Sequence, residues 1–409
     1  MPDEFIAAQP SPAVRDLCCA VLPYALPRRG VVGVDYVKED LDRLRALAPD
    51  RVLLTPNHPT NDEPALLFHL GCRVEQPFYF LACREAFDPL AGLWGQIIRR
   101  IGAFSVVRGT ADRASFRATR ETLARPGAKL VIFPEGEVYS QNDSLLPFHS
   151  GVFQLAFWTL EDLRKAGEAG APLYVLPVAV KYRFTQDMRP ALRASLARLE
   201  RHVGLPENRD GDLYARLRAV GGAMLRSVER EYRLPAPKDP DDDLTPRLNA
   251  VREAILQRVA TAAGVALPRG ETLAERMRAL LHVIETVTRG EAEEEAQTAF
   301  DRKLRRQQRE RAQPLLTDLH RLANWIALYD GYVRADPTPE RMADTLQRLE
   351  RECFNKTMLG GPRRCSLRLG EPIDLAARWD AYQSNRRRAV AAVTGEVEAA
   401  VAALLGEKE

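Results

Sequence analysis

A chain of 409 residues is too long for one ordinary hydrophobic core, so two domains are expected. Hydrophobic residues at 45% and charged residues at 28% exclude a disordered chain, and 59 basic against 56 acidic side chains leave a net charge of +3 that gives no argument for nucleic acid as a partner. The six cysteines (18, 19, 72, 83, 353 and 365) show no C-x-x-C spacing, and the adjacency of Cys18 and Cys19 does not suit an ordinary structural disulfide; they read as reduced thiols in a cytoplasmic protein.

Residues 1–30 read as an N-terminal leader segment, opening with Pro2, Asp3 and Glu4 rather than with the basic start of a secretory signal. No stretch reaches the ~18–20 apolar residues needed to cross a bilayer, so the expectation is a chain that is soluble or held at a membrane surface. From 31 to 186 strand and helix signals alternate. Strands are expected at 31–37, 51–55, 77–82, 104–108, 129–134 and 173–184, and helices at 39–48, 62–72, 88–101, 111–125 and 149–168. Pro177, inside the last strand, suggests a bulge or an irregular edge. Helix 88–101 carries Leu90, Leu93, Trp94, Ile97, Ile98 and Ile101 with Arg99 and Arg100 near its end, a face suited to a lipid headgroup layer or to core packing.

Residues 187–362 are helical in pattern, at 189–203, 211–232, 244–263, 271–288, 291–312, 313–335 and 338–356, with a Pro/Asp-rich hinge at 233–246. Strand chemistry returns at 365–373, followed by an amphipathic helix at 383–405. A lone strand needs a partner for its backbone groups, so 363–409 is expected to rejoin the first sheet. The fold class is therefore α/β: a mixed, largely parallel sheet flanked by helices and interrupted by an all-helical insertion.

The residues that carry chemistry lie where strands end. In Thr55-Pro56-Asn57-His58-Pro59-Thr60-Asn61-Asp62-Glu63-Pro64, a histidine follows a strand and two carboxylates open the next helix. That is how a general base and its orienting acid are supplied; the plainer alternative makes Asp62 a helix cap and His58 a loop residue. Arg108, flanked by Gly109 at a strand end, is suited to grip a phosphate. Phe133-Pro134-Glu135-Gly136 ends another strand, with Gly136 allowing a tight turn. Leu146 to Val152, including His149, leads from a polar loop into a helix. No second histidine lies at ligand spacing from His58, so no metal is expected.

His58 with its following acid, the Gly102 to Arg108 block, Phe133-Pro134-Glu135-Gly136 and Leu176-Pro177-Val178 occur in the order of the four blocks of the phospholipid/glycerol acyltransferases, which this chain resembles over about 31–183 and 363–409. The turn Gly370-Glu371-Pro372-Ile373 looks like their C-terminal strand. The resemblance implies acyl transfer to a hydroxyl from acyl-CoA or acyl carrier protein, used as co-substrate with no other cofactor. The acceptor is a glycerol phosphate or lysophospholipid. It implies His58 as base oriented by Glu63 or Asp62, and substrate contacts from Arg108, Phe133, Pro134, Glu135 and Gly136. It further implies work at a membrane surface, on its cytoplasmic face. Two departures stand out. Glu63 occupies the place of the family's aspartate, and Glu137 and Val138 replace a threonine and arginine. They leave open a non-phosphorylated acceptor, or a non-catalytic scaffold that keeps the fold.

Overall fold

The computed structural model describes residues 5–107, 112–138, 140–206, 211–235, 243–267, 272–288, 298–335 and 337–406. By their internal contacts they divide into two units, one formed by Met1–Thr185 with Pro362–Glu409 and one by Gln186–Gly361.

In the first unit, chain order runs α1 (Pro12–Ala25), β1 (Val31–Tyr36), α2 (Lys38–Ala46), β2 (Arg51–Pro56), α3 (Glu63–Arg73), β3 (Phe78–Cys83), α4 (Leu93–Arg100), β4 (Ala103–Val106), α5 (Arg113–Leu123), β5 (Lys129–Val131), α6 (Ser150–Lys165) and β6 (Leu173–Phe184). After the helical unit come β7 (Arg363–Leu369), β8 (Ile373–Asp374), and helices Trp379–Ser384 and Arg386–Gly406. The described strands form one eight-stranded sheet in the order β1-β7-β6-β2-β5-β3-β4, with β8 beside β6. Pairings are parallel except β6 with β7 and β6 with β8. The segment after the helices thus fills the gap between β1 and β6.

Period-two alternation explains the two cores. Val52 and Leu54 of β2, with Leu176, Val178 and Val180 of β6, face the core under α1–α4. Leu53, Val175 and Ala179 face the core under α6 and the C-terminal helix. Both faces are covered, so these strands read as continuous apolar runs. The register of β6 on β2 passes through Pro177 without a shift. The irregularity lies on the other edge, where the antiparallel neighbour changes from β8 to β7 and Gly370 N–H donates to Pro177 O at 2.9 Å.

Several expectations are corrected. Cys19 and Cys72 form a disulfide, with 5.8 Å between their Cα atoms. Adjacency bars Cys18 from pairing with Cys19, but packing of α1 on α3 brings in a partner 53 residues away. Within the segment expected as a leader, α1 packs on α3 and α4. Helix 88–101 begins only at Leu93. Leu90, Ala91 and Gly92 all have positive φ, which a right-handed helix cannot accommodate. The helices expected at 291–312 and 313–335 are one helix, Ala299–Trp325, followed by Gly331–Ala335. Pro314 sits exposed within it, so the carbonyl it leaves unpaired, on exposed Glu310, meets solvent. The acidic residues 291–295 lie outside the described residues. One helix, Arg386–Gly406, is long and apolar enough by composition to cross a membrane, against expectation. Its Val390, Val393, Val397 and Val401 recur at helical spacing and are buried in the core against β6 and α6.

Candidate active site

All of β2 is buried, so the chain leaves the sheet only after Pro56. Asn57, fully buried, extends the sheet by one imitation residue. Its Nδ2 donates to Val180 O at 2.9 Å and its Oδ1 accepts from Val180 N–H at 2.7 Å. His58 then meets the first turn of α3. Its ring is 15% exposed, and Nδ1 lies 2.8 Å from Glu63 Oε2. A carboxylate partner puts the proton on Nδ1, so Nδ1 donates and the lone pair of Nε2 is left as acceptor.

Glu63 is fully buried and accepts from four donors. Oε2 takes His58 Nδ1 and, at 3.0 Å, Thr60 N–H. Oε1 takes Thr60 Oγ1 at 2.6 Å and Tyr182 Oη at 2.5 Å. Burial alone would raise this carboxyl, but the hydrogen bond and charge of His58, with Thr60 and Tyr182, hold it below the ordinary glutamate value. Burial and the charge of Glu63 push the Tyr182 phenol well above the usual tyrosine value, so it stays protonated and donates.

Asp62 takes the other course. Oδ1 accepts from Arg29 Nε at 2.6 Å and Oδ2 from Arg363 Nη2 at 3.0 Å. It occupies the position before α3 without capping it. The candidate catalytic role for Asp62 is therefore corrected. One step along a nascent helix rotates the side chain by about 100°, away from the imidazole and toward two guanidinium groups.

The Phe133-Pro134-Glu135-Gly136 turn is the bracket on which His58 is mounted. The Phe133 ring stacks on the imidazole with centroids 4.0 Å apart. Gly136, at φ +74°, closes the turn by donating its N–H to Phe133 O at 3.1 Å, a left-handed conformation that suits glycine. Pro134 O accepts from His149 N–H at 2.8 Å. Glu135 is buried; Oε1 accepts from His58 N–H at 2.8 Å and Oε2 from Leu146 N–H at 3.0 Å. Its carboxylate thus ties the β2–α3 loop to its own loop between β5 and α6 rather than opening onto a ligand, and burial pushes its pKa up to about 7. Arg108 lies outside the described residues.

Sequence reasoning passed over Asn57, Thr60, Asn142 and Tyr182. Asn142 repeats the strand imitation two residues along β6, donating to Tyr182 O at 2.7 Å and accepting from Tyr182 N–H at 2.6 Å. The available signal was a polar-tipped aromatic at 182, closing the one-face series Val178, Val180 at a strand's C-terminal end, where ligands meet open α/β sheets.

A family model described as Acyltransferase matches residues 34–181, a span that includes His58, Glu63 and the Phe133–Gly136 turn. No curated protein matches the chain.

Proposed function

We propose, for a chain whose residues 34–181 belong to the acyltransferase family of phospholipid and glycerol acyltransferases, that it moves a fatty acyl group from a thioester of coenzyme A or acyl carrier protein to a hydroxyl of a glycerol phosphate or lysophospholipid. The observation that carries the reading is the 2.8 Å contact of His58 Nδ1 with a buried carboxylate, which leaves Nε2 as acceptor. The acceptor oxygen attacks the thioester carbonyl while its proton passes to Nε2. The tetrahedral intermediate then expels the thiolate, which takes that proton from the imidazolium. An ester and a free thiol result. Glu63 holds the ring and balances the imidazolium charge. Arg108 is assigned to the acceptor phosphate.

Replacement of the family's threonine and arginine by Glu137 and Val138 favours a second acceptor class, a non-phosphorylated alcohol. Oleoyl-CoA incubated with glycerol 3-phosphate, lysophosphatidic acid and monooleoylglycerol, read by mass spectrometry, separates the two. Thiol release no faster than without the protein, whichever acceptor is present, would favour the scaffold reading instead.

Work at a membrane surface is supported by apolar side chains left exposed on two touching helices. These are Leu17, Val21 and Tyr24 at helical spacing on α1, and Leu93, Trp94 and Ile97 on α4. Main-chain bonds from Gln9 and Ser11 to the carbonyls of Arg99 and Arg100 join the two elements. We assign the protein to the cytoplasmic face. A disulfide persists poorly in the reducing cytosol, so the redox state of Cys19 and Cys72 in cells quenched with alkylating agent tests that assignment.

A further inference from the structure

Glu63 has one more rotatable bond than an aspartate would, and it is buried without a guanidinium among its hydrogen-bond donors. Something must choose one rotamer for it. Oε2 serves the imidazole; Oε1 is gripped by the Thr60 hydroxyl, on the same loop, and by the Tyr182 phenol, from β6 beside β2. Tyr182 is itself immobilised. Asn142 binds both its main-chain groups, β7 pairs it with Cys365, and the Arg363 guanidinium lies 4.6 Å from its ring centroid. Its ring is 2% exposed. Arg363 also binds Asp62, so one residue of the returning strand braces both the phenol and the start of α3.

We propose that Tyr182 is a positioning residue for the acyl transfer: its phenol, held by β7 and Asn142, locks the Glu63 carboxylate in the orientation that presents His58 Nε2 to the acceptor hydroxyl. This rests on the reading of His58 as the base. The returning segment 363–369 then acts on the reaction through Tyr182 without touching substrate.

The test compares wild type, Y182F, E63Q, the E63Q/Y182F pair and H58A, using oleoyl-CoA with the three acceptors named above. Y182F is expected to lower kcat about tenfold, the weight of one hydrogen bond to a charged group, with both KM values within about twofold. In the E63Q background the same change should add nothing, because the two act as one unit. The downfield proton resonance of His58 Nδ1–H, assigned by its loss in H58A, should shift in Y182F; this readout needs no turnover. Wild-type kcat in Y182F, an effect on KM alone, additivity with E63Q, or an unmoved resonance would each overturn the inference. Full turnover in H58A would sink the reading of His58 itself. An inactive H58A beside a fully active Y182F would sink only the role of Tyr182.

Discussion

Glu63 in the α/β unit and Glu200 in the helical unit are both buried glutamates, yet they are suited to different work. Glu200 is gripped by Arg216 through two parallel contacts of 2.8 Å, both side chains almost wholly enclosed, and Glu229 meets Arg247 in the same way. A guanidinium keeps its charge at every ordinary pH, so Glu200 is always matched, and such a pair only holds helices together. The donors to Glu63 are an imidazole, an amide and two hydroxyls. Its charge meets a full opposite charge only after His58 has gained a proton. A buried carboxylate becomes useful to a base when its partner can change charge.

The sharpest way to break this contrast is at the imidazole. H58A should cut acyl transfer by ~10²–10⁴-fold; full activity would remove His58 from the chemistry. It also removes one of four donors to buried Glu63 and the stack on Phe133, a stability loss of ~1–3 kcal/mol read by thermal unfolding. R216A should instead leave Glu200 buried and unmatched, costing ~3–5 kcal/mol of stability. Urea denaturation checks it, and an unmoved midpoint would show that the helical unit does not depend on the pair.

E135Q probes a third kind of buried acid, bound by main-chain N–H groups. Gln offers one acceptor oxygen where two are needed, a cost of ~1–3 kcal/mol at pH 5. The sign with pH follows from the raised pKa. Between its ordinary 4.5 and about 7 the folded chain holds more protons at Glu135 than the unfolded chain. Its contribution is therefore full below that window and is lost as pH rises through it. The stability gap between wild type and E135Q should narrow from pH 5 to pH 8; a constant gap would refute the raised pKa. Glu63, with its lowered value, runs the opposite way: its contribution is present above the ordinary glutamate value and is lost as pH falls through the lowered one. The smallest effect belongs to the exposed Arg306–Glu310 pair, where R306A should change stability by under ~0.5 kcal/mol. A larger loss there would blur the distinction between buried and surface pairs.

Much of this molecule was legible before any coordinates. The runs at 51–55 and 173–184 carry apolar side chains on both faces, as strands covered on both sides must, and they emerged as β2 and β6 within a residue or so. The reading of 363–409 as a segment that rejoins the sheet rested on unpaired backbone groups needing partners, and β7 found two. Boundaries failed where the backbone did something local propensity does not encode. Positive φ at Leu90 and Ala91, both exposed, accompanies a turn closed by main-chain bonds such as Gly92 N–H to Asp88 O at 3.0 Å, a local geometry that neither residue type signals. The Cys19–Cys72 pair depends on two helices meeting, which spacing alone does not reveal.

The site divides along the same line. That a histidine would follow a strand with acids close behind, and that Gly136 would turn a chain sharply, is local chemistry, encoded by neighbouring residues in order. Which acid faces the imidazole was decided by the helical rotation between Asp62 and Glu63, once Arg29 and Arg363 were in place to claim the first. Whether Glu135 opens onto a ligand or ties loops was decided by the N–H groups that folding brought to it. Tyr182 gained its partner only because a strand 119 residues further along the chain is folded beside α3. Hydrogen bonds across such distances follow from packing of the whole sheet, because no short stretch of chain contains both of their ends.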